Sequence, residues 1–147
     1  MDAPALTPHD EQYRRQMDRF EADLWQDLAR VPTLQADAAE AVVTYLLELA
    51  CRSAHIRPIT IGREALVALP RAWLLARIER LAEPLVALHD EWEYRRLLEV
   101  LWLIDRRLVW NLAHRGLDST DAGISEAAGD FLGKLEALRG DPDAVPW

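Results

Sequence analysis

The stretch that most constrains this chain is Leu97-Leu98-Glu99-Val100-Leu101-Trp102-Leu103-Ile104, in which Glu99 is the only charged residue. It follows Asp90-Glu91-Trp92-Glu93, where an aspartate stands three residues ahead of a glutamate. That is the spacing of a capping box, in which each side chain satisfies a backbone N–H left without a partner by the first helical turn. The pattern predicts a helix near 91–104 that is apolar on nearly every side. Such a helix is stable only when other helices surround it, so it is expected at the centre of the fold.

The rest of the chain supplies candidates for those neighbours. Thr7-Pro8-His9-Asp10 reads as an N-cap, a proline at the first helical position and an acid at the third. Tyr13, Met17, Phe20, Leu24 and Leu28 then recur at three- and four-residue steps, predicting a helix over 8–30 that ends before Pro32. Thr33 is a candidate cap for a helix over 35–52, and Ser53 for one running to Leu69. Pro70 opens a further helix that Pro84 is expected to end or kink near Ala82, because proline lacks the N–H and crowds the preceding turn. His114-Arg115-Gly116 has the form of a helix C-terminus, with a glycine able to turn left-handed. Asp118–Asp121 restarts a helix that stops at Gly140.

Strand patterns, with alternating β-branched residues between turn dipeptides, are absent. The expected fold is therefore all-α: a compact single domain over 1–140 of about six or seven short antiparallel helices. They would stack as helical hairpins or as an irregular bundle around the apolar helix. Residues 141–147 are expected to form a flexible C-terminal tail, whose Trp147 could dock on the domain or serve as a short ligand.

With 147 residues, half of them apolar, the chain can bury a core without metals or disulfides. The net charge of −8 is uneven: residues 1–37 carry −4, 38–117 carry +1 and 118–147 carry −5. Acidic ends disfavour nucleic acid and anionic lipid and leave a basic protein partner open. Met1–Pro4 has neither a basic stretch nor an apolar core, so no secretory signal is expected, and charged residues interrupt every candidate membrane span. One cysteine, Cys51, cannot form an internal disulfide and suits a reducing cytoplasm. The expected location is cytoplasmic, with no membrane partner.

The segment from Gly116-Leu117-Asp118-Ser119-Thr120-Asp121 through Ala122-Gly123-Ile124-Ser125-Glu126-Ala127-Ala128 resembles the opening of a HEAT-type helical repeat. Those units often begin with a leucine, a short acidic turn, a β-branched residue and two alanines. The likeness covers about fifteen residues and departs at Ser125-Glu126, where an arginine is commoner, and at Gly129, which weakens a helix. It implies stacked helical hairpins, although no regular internal period accompanies it. The middle, Ile61-Gly62-Arg63 and Glu91 through Glu99, looks like small bacterial all-α proteins, a resemblance that implies no activity.

Candidate chemistry is sparse. The six glycines stand singly, without the clusters that wrap a phosphate. One cysteine and four dispersed histidines cannot supply a structural zinc site, so no metal and no cofactor are expected. His89-Asp90-Glu91 with Glu93 is the nearest approach to a ligand cluster, and capping already accounts for Asp90 and Glu93. No serine has a nucleophile-elbow pattern. Glu91, Arg95 and Glu99 have the spacing of a salt-bridge ladder along one helix face.

Six tryptophans are an unusual number for this length. Trp102 and Trp110 are expected in the core; Trp25, Trp73 and Trp92 fall near helix beginnings or stripe edges, where core packing is the favoured reading and partial exposure the alternative. Trp73, Trp92, Arg95 and Arg96 are the candidate partner-binding residues, because an arginine over an indole is common in binding hot spots. The expected function is a non-enzymatic helical module that binds another protein, with self-association also open. One alternative is an acidic inhibitor or immunity-type protein masking a basic partner. Another is a small helical-bundle enzyme or ligand-binding protein using Glu79, Glu83, Glu99 and Asp105 from inside a pocket.

Overall fold

The structure, a computed structural model, describes residues 5–87 and 90–140. Trp147, the 141–147 tail and His89 lie outside the described residues. Among those described there are α-helices and two short 3-10 turns and no strand: the chain is all-α. The backbone divides into two compact units, Met1–Leu81 and Ala82–Trp147.

In the first unit, α1 (Pro8–Phe20) is opened by the anticipated Thr7 cap, which the structure completes as a capping box: Asp10 N–H donates to Thr7 Oγ1 and Thr7 N–H donates to the Asp10 carboxylate. The continuous helix expected to residue 30 is not formed. Glu21 is extended, Asp23 takes a left-handed conformation (φ 59°), and 3-10 turns follow at Leu24–Gln26 and Leu28–Thr33. Aspartate tolerates that region better than most residues, and here Asp23 N–H donates to Asp18 at 2.9 Å. Arg30 closes the turn, reaching Glu21 at 2.6 Å and the Ala22 carbonyl at 3.3 Å. The apolar spacing that suggested a long helix is thus used differently, and Leu24 and Val31 are still fully buried.

The helices α2 (Ala36–Arg52) and α3 (Ile56–Ala68) pack along one another and against α1. Neither expected cap holds: Gln35 rather than Thr33 precedes α2, and His55 rather than Ser53 precedes α3. Thr33 instead donates to the Arg30 carbonyl. Pro58 lies in the first turn of α3, where the missing N–H has no helical acceptor to lose. Gly62 lets the two backbones close up: a Cβ there would stand 2.7 Å from Ala50 N and 2.8 Å from Leu46 O.

The helix expected from Pro70 is two helices, α4 (Arg71–Leu75) and α5 (Ile78–Ala87), separated at Ala76–Arg77. This split brings the described α-helices to eight. Pro84 does not end α5 near Ala82; it lies inside the helix, which continues to Ala87. The division between the two units falls within α5.

In the second unit, α6 (Glu91–Ile104) packs on both α7 (Arg106–Leu117) and α8 (Ala122–Arg139), and α7 and α8 pair extensively. Asp90 caps α6, accepting from Glu93 N–H at 3.0 Å, which is one half of the expected capping box. Tyr94, Leu97, Leu98, Val100, Leu101 and Ile104 form its buried face. The helix is not apolar all round in its use, however. Leu103 is 54% exposed and Trp102 only half-buried.

The helix breaks at Asp105, whose carboxylate accepts from Arg107 N–H at 2.9 Å and starts α7. At the other end Gly116 is not a left-handed cap, since it lies within α7 and has no positive φ. Its role is close approach: a Cβ there would meet Tyr94 Oη at 2.0 Å. Tyr94 runs over that bare backbone to donate to the Leu112 carbonyl at 2.9 Å.

Candidate interaction surface

A single pattern organises the described aromatic surface. Each of the five described tryptophans has an arginine over its ring: Arg14 on Trp25 at 4.0 Å, Arg77 on Trp73 at 4.6 Å, Arg96 on Trp92 at 5.6 Å, Arg106 on Trp102 at 5.1 Å and Arg139 on Trp110 at 4.8 Å. Three of these pairs are i, i+4 on one helix or across its end, the spacing that places one side chain over the next. Guanidinium planes lie well on indole faces, being weakly hydrated and attracted by the ring quadrupole. Trp102 and Trp110, expected in the core, are half-buried, and Trp102 also meets Phe131 edge-on at 6.1 Å.

The four residues anticipated as a binding patch belong to different units. In the first unit Trp73 is half-buried. Arg77 crosses its ring and donates to the Trp73 carbonyl at 2.9 Å. Glu40 on α2 gathers Arg77 (3.9 Å) and Arg80 (2.5 Å), and the Arg80 hydrogen bond holds its carboxyl below the usual range.

In the second unit Trp92 is 68% exposed. Arg96 covers part of its ring and pairs with Glu99 at 3.3 Å. Arg95 leaves the anticipated Glu91–Arg95–Glu99 ladder and lies 3.4 Å from Asp130 on α8. Trp92, Arg96, Glu99 and Leu103 are spaced i, i+4, i+7, i+11, so at 3.6 residues per turn they lie within about 60° of arc. That arc is opposite the face carrying Leu97, Leu98 and Leu101. The result is a stripe with an exposed apolar residue at each end and a charge pair between. Leu103 was missed because it is embedded in the apolar run, although its spacing from Trp92 was readable.

The carboxylates considered for a pocket are spoken for or turned outward. Glu79 is exposed. Glu83 is exposed and pairs with Arg115 at 2.7 Å, and that hydrogen bond lowers its pKa. Glu99 pairs with Arg96. Asp105 is buried, but it caps α7 and also holds the Arg107 guanidinium at 3.0 Å. Asp10 is pulled well below the ordinary carboxylate range, first by Arg57, whose Nη2 is 2.6 Å away, and then by Thr7.

Shallow grooves lie along the described residues of both units: one of about 490 Å³ follows Gln12, Arg15, Gln16, Asp18 and Arg19 of α1, and two others each border a tyrosine. Of these two, one, about 300 Å³, runs between Tyr13, Trp25, Arg57 and Glu64; the other, about 360 Å³, lies beside Tyr94, Arg115, Ser119 and Ile124. None of the three brings a histidine to a carboxylate. His9 and His55 do meet, with ring centroids 5.3 Å apart. Among the described residues no three histidine, cysteine or acidic side chains are grouped so as to hold a metal ion. Cys51 is buried in α2. No described helix is long and apolar enough to cross a membrane. Comparison with protein-family models, curated proteins and solved structures finds no match for the chain.

Proposed function

We propose that this chain is a non-enzymatic helical module that binds another protein through the outer face of α6. The observation that carries this reading is Trp92: a large aromatic, 68% exposed, on the side of its helix away from the core. An exposed indole contributes nothing to the core, and indole with arginine is the pair most often found where binding energy concentrates. Arg95 and Arg96 beside it supply charge and hydrogen-bond donors at the rim. Trp73 with Arg77 is a second, separate element of the same kind on the first unit, less open because its ring is half-buried.

The chemistry of the acids supports a non-catalytic role. A general acid at neutral pH needs a raised pKa. Here the shifted carboxylates, Asp10, Glu40 and Glu83, are all lowered by arginine partners. The likeness of 116–128 to a HEAT-type unit is consistent with α7 and α8 as one hairpin of an interaction scaffold.

The test is capture of partners from the native host with the wild-type chain, with Trp92→Ala and with Arg96→Ala. Circular dichroism and the thermal midpoint are expected to stay unchanged, because neither residue is in the core, while the captured partner is lost. Equal recovery by all three proteins would remove α6 as the binding face.

A further inference from the structure

The α6 stripe is complementary to itself. Trp92, Arg96, Glu99 and Leu103 follow the 4-3-4 spacing of a coiled-coil seam, in which layers alternate between the two core positions of the heptad. When two copies of such a helix lie antiparallel about a two-fold axis centred between residues 97 and 98, each position faces a different one on the other copy. Trp92 then meets Leu103, and Arg96 meets Glu99. The twofold repeats both contacts, so two apolar layers enclose two opposite-charge layers with no like-charge clash. A stripe of the same composition with arginine at both inner positions would repel itself in this arrangement.

From this self-complementarity we infer that the partner of α6 is a second copy of this chain, docked antiparallel on the same face as a C2 dimer. The inference rests on α6 being an interaction surface and goes further by naming what covers it. Both ends of the seam are open, with Trp92 68% and Leu103 54% exposed. Between them the Arg96–Glu99 pair, 3.3 Å apart, keeps both side chains partly exposed. An isologous contact of this kind is the commonest route to a homodimer. One helix face of fourteen residues covers less than the roughly 800 Å² per partner of a standard interface, so the dimer is expected to be concentration-dependent.

Charge reversal tests the register directly. Arg96→Glu leaves two glutamates at the inner positions, and Glu99→Arg leaves two arginines, so each variant alone repels its own copy. Mixed in equal amounts, they face glutamate against arginine at both inner layers, although each still carries a like-charged pair within its own helix. Sedimentation velocity over roughly 1 µM to 1 mM should show wild type reaching dimer mass, with each single variant associating at least about tenfold more weakly. The equimolar mixture should regain dimer mass. Circular dichroism of each variant checks that the helices are intact, and rescue on mixing excludes misfolding as the cause of dissociation.

Wild type that stays monomeric across the range overturns the homodimer. So does a dimer that both reversals leave unaffected, or one that the mixture fails to restore. A monomer whose host partner is still lost on Trp92→Ala separates the two ideas: self-docking fails and the α6 surface stands.

Discussion

Replacing Gly62 with alanine sets two physical effects against each other. Within α3 the substitution relieves the backbone entropy of glycine, worth about 1 kcal/mol in a helix interior. The new Cβ, however, would stand 2.7 Å from Ala50 N and 2.8 Å from Leu46 O, where ordinary van der Waals contact begins near 3.4 Å. Both obstacles are backbone, so no rotamer change relieves them and α3 must move away from α2 by roughly 0.7 Å. A gap of that size forfeits about a quarter or more of each dispersion well across the interface. Applied to Leu46, Leu47, Ile59 and Leu66, all buried, at about 2 kcal/mol of burial each, the loss is about 2 kcal/mol. If the helices resist moving, overpacking raises the total towards about 3 kcal/mol. The net expectation is destabilisation by about 1–2 kcal/mol, measured as a lower urea midpoint at unchanged m-value. Gly129→Ala and Gly133→Ala in α8 are the controls: nothing lies within 4 Å of a Cβ at either, so each should gain up to about 1 kcal/mol. A Gly62→Ala protein as stable as these controls would refute the reasoning, because it would mean the α2–α3 contact does not need a bare backbone.

Other expectations follow from the same structure. Gly116→Ala should displace Tyr94, whose Oη would be 2.0 Å from the new Cβ, and Tyr94→Phe should cost about 1 kcal/mol by removing the bond to Leu112. Because both substitutions act on one contact, the double variant should lose less than the two separate losses combined; strict additivity in urea melts would argue against the coupling. Asp10 titrates lower folded than unfolded, so its contribution is present above its ordinary value of 3.8 and is lost as pH falls below it. Asp10→Asn should therefore flatten the acid limb of urea midpoints measured from about pH 5 to pH 2, and an unchanged limb would show that the Arg57 pair does not stabilise the fold. The expectation of one domain over 1–140 predicts a single unfolding transition by tryptophan fluorescence, whereas two separated midpoints would overturn it.

The all-α class was legible because helix punctuation recurs along the chain and strand alternation does not. Capping at Thr7 and Asp90 was legible for the same reason: a short polar side chain at a fixed offset from an acid is a local signal. Where the sequence reading missed, competition between turn chemistry and periodicity decided the outcome. The apolar steps from Tyr13 to Leu28 fit a helix, but Asp23 and the Arg30–Glu21 pair fold the same residues into a turn that still buries Leu24. At Gly116 the residue type was informative and the mechanism was different. Glycine was read as freedom to turn left-handed, and what it supplies is room for the ring of Tyr94. That use depends on a residue 22 positions away and leaves no local trace.

The arginine–tryptophan pairs divide into rings that the fold half-buries and one that it leaves open. Trp25, Trp73, Trp102 and Trp110 are half-buried, and each is finished by a guanidinium laid over the ring. In those four the arginine acts as a lid, shielding an aromatic edge that the small core cannot enclose while keeping its own charge in water. Trp92 carries its arginine at the same i, i+4 spacing as Trp73 and Trp102, yet most of the residue stays open. The longer centroid distance, 5.6 Å, accompanies an Arg96 that is also held by Glu99. A lid drawn towards a carboxylate covers less of the indole beneath it. The Glu99 pairing therefore does two things at once: it fixes the charge pattern of the stripe and keeps the ring of Trp92 available. Removing that carboxylate with Glu99→Gln should let Arg96 settle on Trp92, burying a ring that the wild-type chain leaves exposed.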